Sequence, residues 1–312
     1  MTIIFMGTPS FAVPTLERVA AAHRILGVFT QPDRPKGRGG QMAAPPVKEA
    51  ALRLGLPVHQ PERVRRPEVV EQLRTLNPEA MVVVGYGQII PQSIIDIPRH
   101  GIINVHASLL PKYRGAAPIQ WAIANGEKRT GVTTMRIDAG LDTGAILLKW
   151  DTDIGHGESA PELGERMARA GADLLVQTLD GLEAGSIHAE AQDNAQATLA
   201  PILKKEDGII HWNRPAVEIC NRARGFLPWP GAYSFFRGQM LHIWKARVAE
   251  EAGPGEPGRL IPQKKRLLVT SGHGTALEAL EVQIEGRKRM SAEAFLNGHR
   301  LNENEVLGVM AS

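Results

Sequence analysis

Residues 2–31 constrain the fold most. Thr2 to Phe5 is a short apolar run suited to a buried strand, and Gly7-Thr8-Pro9 stops it. Phe11 to Ala22 then carries apolar residues at helical spacing, and Arg24 to Gln31, with Ile25, Leu26, Val28 and Phe29, reads as the next strand. Strand, helix, strand in this order predicts an α/β fold with a Rossmann-like, doubly wound, mostly parallel sheet. Gly7-Thr-Pro lacks the G-x-G-x-x-G phosphate fingerprint, so the sequence carries no mark of a dinucleotide.

The pattern continues. Val47 to Leu54 reads as a helix, Glu62 to Leu76 as a polar helical segment, and Glu79 to Val84 as an apolar strand ended by Gly85-Tyr86-Gly87. That glycine pair serves either an ordinary strand-to-helix turn or the close approach of a flat ring to the backbone. Between them, Gln31 to Pro46 is a long Pro- and Gly-rich loop bearing Arg34, Lys36 and Arg38. Cations on such a loop either reach phosphates or remain solvated at a mobile surface.

Gly101 to Pro118 holds the most chemistry. Ile102, Ile103 and Val105 have strand composition, and a strand sends Asn104 and His106 to one face while Val105 takes the other. Ala107 to Pro111 ends the strand, which puts the polar pair at its carboxyl end, where open parallel sheets bind ligands. A pair satisfied by neighbouring backbone is the plainer reading. Downstream, Met135 to Gly144 follows the strand-like Gly131 to Thr134 and precedes the apolar Ala145 to Leu148. Gly140 and Gly144 flank Asp142 and suggest a sharp turn that aims its carboxylate at a neighbouring strand end. There it would fix the tautomer of His106 and stabilise its imidazolium.

A chain of 312 residues suggests two domains. After the short helix Pro118 to Ala124, the long amphipathic segment Ser159 to Leu182 closes the first, residues 1–188. Residues 189–206 lie in a polar, alanine-rich stretch without periodicity and read as a linker. In residues 207–312 a helical Ala216 to Arg224 and a Pro228-Trp-Pro-Gly231 corner precede short runs at Tyr233–Phe236, Leu241–Val248, Arg259–Ile261, Arg266–Val269 and Ala276–Ile284, a small barrel or sandwich.

Ordinary composition, with 43% hydrophobic and 22% charged residues, sets disorder aside. The single cysteine, Cys220, excludes an intrachain disulfide framework and a cysteine-based metal cluster, and reads as a buried thiol. No zinc-like ligand spacing occurs, and no apolar run approaches a membrane span; the amino terminus lacks a basic, secretory pattern, so a cytoplasmic protein is expected. Net charge is +3, with 16 Lys and Arg against 12 Asp and Glu from Lys204 onward and 20 against 21 before it. A positive carboxyl-terminal third fits a polyanionic partner or a solvated surface.

Asn104-Val-His106, Ser108-Leu-Leu-Pro111, Arg114-Gly-Ala-Ala-Pro118 and Asp138-Ala-Gly-Leu-Asp-Thr-Gly144, in that order, resemble the folate-dependent formyltransferase superfamily, most closely its tRNA-formylating members. The resemblance implies an active site of Asn104, His106 and Asp142, with Ser108, Leu109, Leu110 and Pro111 against the tetrahydrofolate and Gly85, Tyr86 and Gly87 near its pterin. It also implies that the second domain is an OB-like β-barrel. Gln31-Pro-Asp-Arg-Pro35 and Gly37-Arg-Gly39 match the basic insertion that approaches the tRNA acceptor end, although Gly40 and Gln41 stand where members often carry lysines.

The implied reaction moves the formyl group of 10-formyltetrahydrofolate to the α-amine of methionine on initiator tRNA, without a metal, in a monomer. Asn104 would donate to the formyl oxygen, His106 would manage protons and Asp142 would orient it. Arg34, Lys36, Arg38, Arg222, Arg224, Lys245 and Arg247 are the candidate tRNA contacts. Trp212, Trp229, Trp244, Phe235 and Phe236 lie among the barrel cations, with Phe235 and Trp244 expected in its core. Glycinamide ribonucleotide formyltransferases share the first domain's motifs but need no second domain. Sugar-amine formyltransferases and formyltetrahydrofolate hydrolases share the site, and an RNA-binding module with a lapsed active site is the alternative of another class.

Overall fold

The computed structural model describes residues 1–36, 41–251 and 255–308. Its elements begin with β1 Thr2–Gly7, α1 Val13–Ala22, β2 Arg24–Phe29, β3 Arg34–Lys36, β4 Gln41–Ala43, α2 Pro46–Arg53 and β5 Val58–His59. They continue with α3 Pro67–Leu76, β6 Ala80–Val84, α4 Gln92–Ile95, β7 Ile102–His106, α5 Pro118–Ala124, β8 Arg129–Arg136, β9 Ile146–Asp153 and α6 Ala160–Glu183. The chain forms two compact units, one of Met1–Gly115, Thr130–Thr152 and Gly164–Leu199, the other of Ala116–Arg129, Asp153–Leu163 and Ala200–Ser312.

The first unit is built on a sheet of order β5-β2-β1-β6-β7-β8-β9. Its pairings from β5 to β7 are parallel and β7 pairs β8 antiparallel. Ile3, Ile4, Phe5 and Met6 of β1 are all fully buried, because helices cover both faces of a parallel sheet and a central strand must be apolar throughout. Strand order reverses between β1 and β6, the kind of place where open α/β sheets leave a crevice at the strands' carboxyl ends.

Two expectations change here. The helix read from Glu62 starts at Pro67, whose fixed φ and missing N–H suit a first turn, and it buries Val69, Val70 and Leu73. The loop Gln31 to Pro46 contains a short hairpin of β3 and β4 rather than irregular backbone throughout. Asp33 anchors its base, accepting from Lys48 Nζ at 2.7 and 2.9 Å and from Gln60 Nε2 at 2.7 Å.

The second unit adds α7 Ala216–Gly225, β10 Ala232–Phe236, β11 Gln239–Val248, β12 Leu260–Gln263, β13 Arg266–Thr270, β14 Ala276–Ile284, β15 Met290–Ser291 and α8 Ala292–Gly298. Its antiparallel sheet runs β10-β11-β14-β13-β12, with β15 on β14. Residues 305–308 join both ends: Gly308 bridges Phe235 of β10, and Val306 bridges Arg259 just before β12. Pairing both edge strands in this way closes the sheet into a small, barrel-like domain and leaves fewer unpaired edge groups. Phe236, Ile243, Val269, Leu277, Val282 and Phe295 fill it. Helix α5 belongs to this unit and meets α7 closely, since a Cβ on Gly225 would lie 2.9 Å from the Gln120 carbonyl oxygen.

Candidate active site

Strand β7 places the polar pair as alternation requires. Val105 faces α6, where a Cβ on Gly171 would come within 3.0 Å of it, so Asn104 and His106 occupy the opposite face. Asn104 is half-buried, and among the described residues its carboxamide has no hydrogen-bond partner. His106 is buried, with Nε2 2.9 Å from the Tyr113 carbonyl oxygen and Nδ1 3.6 Å from Asp142 Oδ2.

A carbonyl can only accept, so neutral His106 carries its proton on Nε2. The tautomer is therefore fixed by Tyr113 and not, as the sequence suggested, by Asp142. Asp142 instead faces the bare Nδ1 and becomes an ion-pair partner once that nitrogen is protonated. Its Oδ2 also accepts from Gly115 N at 2.8 Å.

The turn carrying Asp142 is built differently from the expected one. Asp142 itself is left-handed, with φ 50°, a conformation that aspartate tolerates better than most residues. Gly144 serves close packing instead, because a Cβ there would lie 1.9 Å from the Arg136 carbonyl oxygen. Asp138 Oδ1 staples the loop by accepting from Gly140 N at 3.0 Å and Thr143 Oγ1 at 2.7 Å.

Ser108 to Pro111 follow His106 as a braced loop. Ser108 Oγ donates to the Lys112 carbonyl at 2.6 Å, and Thr133 Oγ1 donates to the Ser108 carbonyl at 2.7 Å while accepting from Leu110 N at 3.2 Å. Leu110 is buried against Met135 and Ile146. The side chains of Ser108 and Leu110 thus hold the loop, and its backbone with Leu109 and Pro111 is what a ligand can meet.

In Gly85-Tyr86-Gly87 both glycines are left-handed, at φ 57° and 82°. The Tyr86 ring is not offered to a ligand: it lies in the core, where burial raises its pKa and its hydroxyl has no partner among the described residues. Its carbonyl accepts from Thr8 Oγ1 at 2.9 Å and Gln31 Nε2 at 3.1 Å.

The cations divide. Arg222 lies over the rings of Trp121 and Phe226, 5.8 and 4.8 Å from their centroids, and donates to the Asp207 carbonyl. Arg224 donates to the Asn221 side chain and to the carbonyls of Gly155 and Glu158. Both guanidinium groups thus help to hold their own unit. Arg247 pairs with Glu278 at 2.8 Å, while Lys245 and Arg34 are exposed. Lys36 ends β3, and Arg38 with its flanking glycines lies outside the described residues. Of the barrel aromatics, Trp212 and Phe236 are buried, Trp229 is 55% exposed, and Trp244 is half-buried with Arg289 3.7 Å over its ring.

Sequence reasoning passed over a set of polar residues that hold the site. Gln192 Nε2 donates to the carbonyls of Asp142 and Gly144 at 2.8 and 2.7 Å, and Gln192 Oε1 accepts from buried Arg114. Thr198 Oγ1 accepts from Tyr113 N at 2.9 Å. Arg114 stood in a quoted motif without a role, and Gln192 and Thr198 fell in the stretch read as a linker.

A strand-end carboxamide, imidazole and carboxylate can together bind a developing oxyanion and move a proton, which defines an acyl-transfer site. A formyl transferase model matches residues 1–179 and a formyl transferase C-terminal domain model matches residues 202–300. The chain belongs to the formyl transferase family. A methionyl-tRNA formyltransferase of Solibacter usitatus is 65% identical over 99% of this chain and 99% of its own length, and one of Koribacter versatilis is 56% identical over the whole of both. Among solved structures, an N-formyltransferase from Helicobacter canadensis, in complex with folinic acid and dTDP-3-aminofucose, shares the fold. It has a TM-score of 0.66 and 18% identity, over 89% of this chain and 98% of that one. No helix among the described residues is long and apolar enough to cross a membrane.

Proposed function

We infer that this chain transfers the formyl group of 10-formyltetrahydrofolate to the α-amine of methionine esterified to initiator tRNA, giving N-formylmethionyl-tRNA, and that it works as a monomer in the cytoplasm. The observation that carries the reading is the uncommitted Asn104 carboxamide beside a His106 whose free Nδ1 faces Asp142. The residues present fit the donor, since an unpartnered amide and a braced loop with available backbone adjoin each other at one strand end.

Bound 10-formyltetrahydrofolate supplies a formyl carbon already activated on nitrogen. Asn104 Nδ2 donates to the formyl oxygen as negative charge gathers there, a task worth about 10²- to 10³-fold in rate at comparable sites. The attacking amine loses a proton and the departing folate nitrogen gains one. His106 Nδ1 is the nitrogen able to take that proton and pass it on, since Nε2–H is held by Tyr113. Asp142 stabilises the charge while His106 holds it. Ser108 to Pro111 hold the folate, and Arg34, Lys36, Arg38, Lys245 and Arg247 are the proposed tRNA contacts.

The test is formyl transfer to methionyl initiator tRNA, run beside free methionine and uncharged tRNA. Transfer that requires the charged tRNA is expected. Release of formate, or formylation of a small amine instead, would keep the site chemistry and overturn the acceptor.

A further inference from the structure

Two catalytic arms meet in this site, and a third segment ties them together. The Asp142 turn lies outside the sheet ladders and contains a left-handed residue, so its geometry needs outside support. Beside the Gly115 amide and the Asp138 staple, one side chain supplies it. Gln192 Nε2 donates its two hydrogens to the carbonyls of Asp142 and Gly144, on either side of the catalytic carboxylate's backbone.

The orientation of this amide is set chemically. Arg114 Nε and Nη2 lie 3.0 and 2.7 Å from Gln192 Oε1, and a guanidinium only donates, so the oxygen faces Arg114 and the nitrogen faces the carbonyls. Arg114 Nη2 also donates to Asn194 Oδ1 at 2.9 Å, and Arg114 N to the Thr198 carbonyl at 2.8 Å. The residues flanking Arg114 hold the other arm, Tyr113 through its carbonyl to His106 and Gly115 through its amide to Asp142.

We propose that Gln192, oriented by Arg114, is a positioning residue that sets the Asp142 carboxylate against His106 Nδ1. Residues 192–198 thereby act as a clamp between the 113–115 and 142–144 segments. A loop displaced by about 1 Å can lose about 10²-fold in rate, so the clamp acts on turnover rather than on substrate binding.

Gln192→Glu tests this, being the same shape with no hydrogens to donate and with its contact to Arg114 retained. The rate readout rests on the formyl-transfer reading; a second readout, exchange of the Gly115 amide that donates to Asp142, does not. Gln192→Glu is expected to lower kcat about 10- to 100-fold with both KM values within about twofold, and to speed Gly115 exchange. In an Asp142→Asn background the same change should add less than about threefold, because both act through one group. An unchanged kcat, an unchanged Gly115 amide or fully multiplicative losses would each overturn the proposal. If the parent enzyme transfers no formyl group, the functional reading fails and Gly115 exchange alone decides the clamp. Should Gln192→Glu not fold, Arg114→Lys, which keeps the charge and loses the two-nitrogen fork on Oε1, is put through the same measurements.

Discussion

Asn104 and His106 share a face because strand side chains alternate, and this much was legible from the residues alone. Their roles separate by substitution. Asn104→Ala removes the donor to the formyl oxygen and should lower kcat about 10²- to 10³-fold with little change in stability, since among the described residues the carboxamide has no partner to lose. Single-turnover rates and melting temperature measured together check this; a rate within about threefold of the parent, against the about 10² expected, would take Asn104 out of the reaction. Less legible was how His106 is held. Its tautomer depends on the backbone carbonyl of Tyr113, and a main-chain group leaves no residue-type signature to read. Gln192 was hidden for another reason. Its contact with Asp142 spans 50 residues, and a glutamine in a polar, aperiodic stretch looks like any solvated one.

Elements were read well where burial repeats, as in the apolar β1 and β6 and the 3.6-residue spacing of α6, and poorly where tertiary pairing decides. The closing segment 305–308 has no strand pattern of its own, yet it pairs with both ends of the barrel sheet. The turn before β9 was recognised, but its glycine was assigned the wrong task. Gly144→Ala would press a methyl against the Arg136 carbonyl and should destabilise the protein by about 1–3 kcal/mol, as overpacking does, seen as a lower denaturant midpoint. Within the barrel, Glu278 of β14 joins Arg247 of β11 and Arg266 of β13 at 2.8 and 3.0 Å. Burial opposes its charge, but hydrogen bonds from Arg266 and Arg247 outweigh it and hold the carboxyl below its ordinary value. Such a group adds stability above its unfolded-state pKa of about 4.3, and this is lost as pH falls through the lower folded value. Glu278→Gln should therefore be the less stable protein at pH 7, with a deficit that narrows below about pH 4.3. Parallel denaturation curves for the two proteins across that range would exclude the cluster as a source of acid sensitivity.

For the whole molecule, an excess of cations in the carboxyl-terminal third says little until each is placed. Several belong to the fold: Arg237 pairs with Glu305 at 2.6 Å, Lys265 with Glu293 at 2.8 Å, and Arg222 and Arg224 bind carbonyls of their own unit. Among the described residues, Lys245 on β11 and Arg287 and Lys288 between β14 and β15 have no ion pair or side-chain hydrogen bond, which leaves them available to phosphate. Each phosphate contact contributes about 0.7 to 0.9 to the slope of log affinity against log salt. Replacing Arg287 and Lys288 by Ala should flatten that slope for tRNA by about one to two while leaving the melting temperature within about 2 °C. Arg222→Ala should do the reverse, lowering the melting temperature through the loss of its Trp121, Phe226 and Asp207 contacts and leaving the slope unchanged. Titrations at several salt concentrations separate the two classes of cation. A slope that moves with Arg222 and not with Arg287 and Lys288 would return the phosphate surface to the residues that the sequence first suggested.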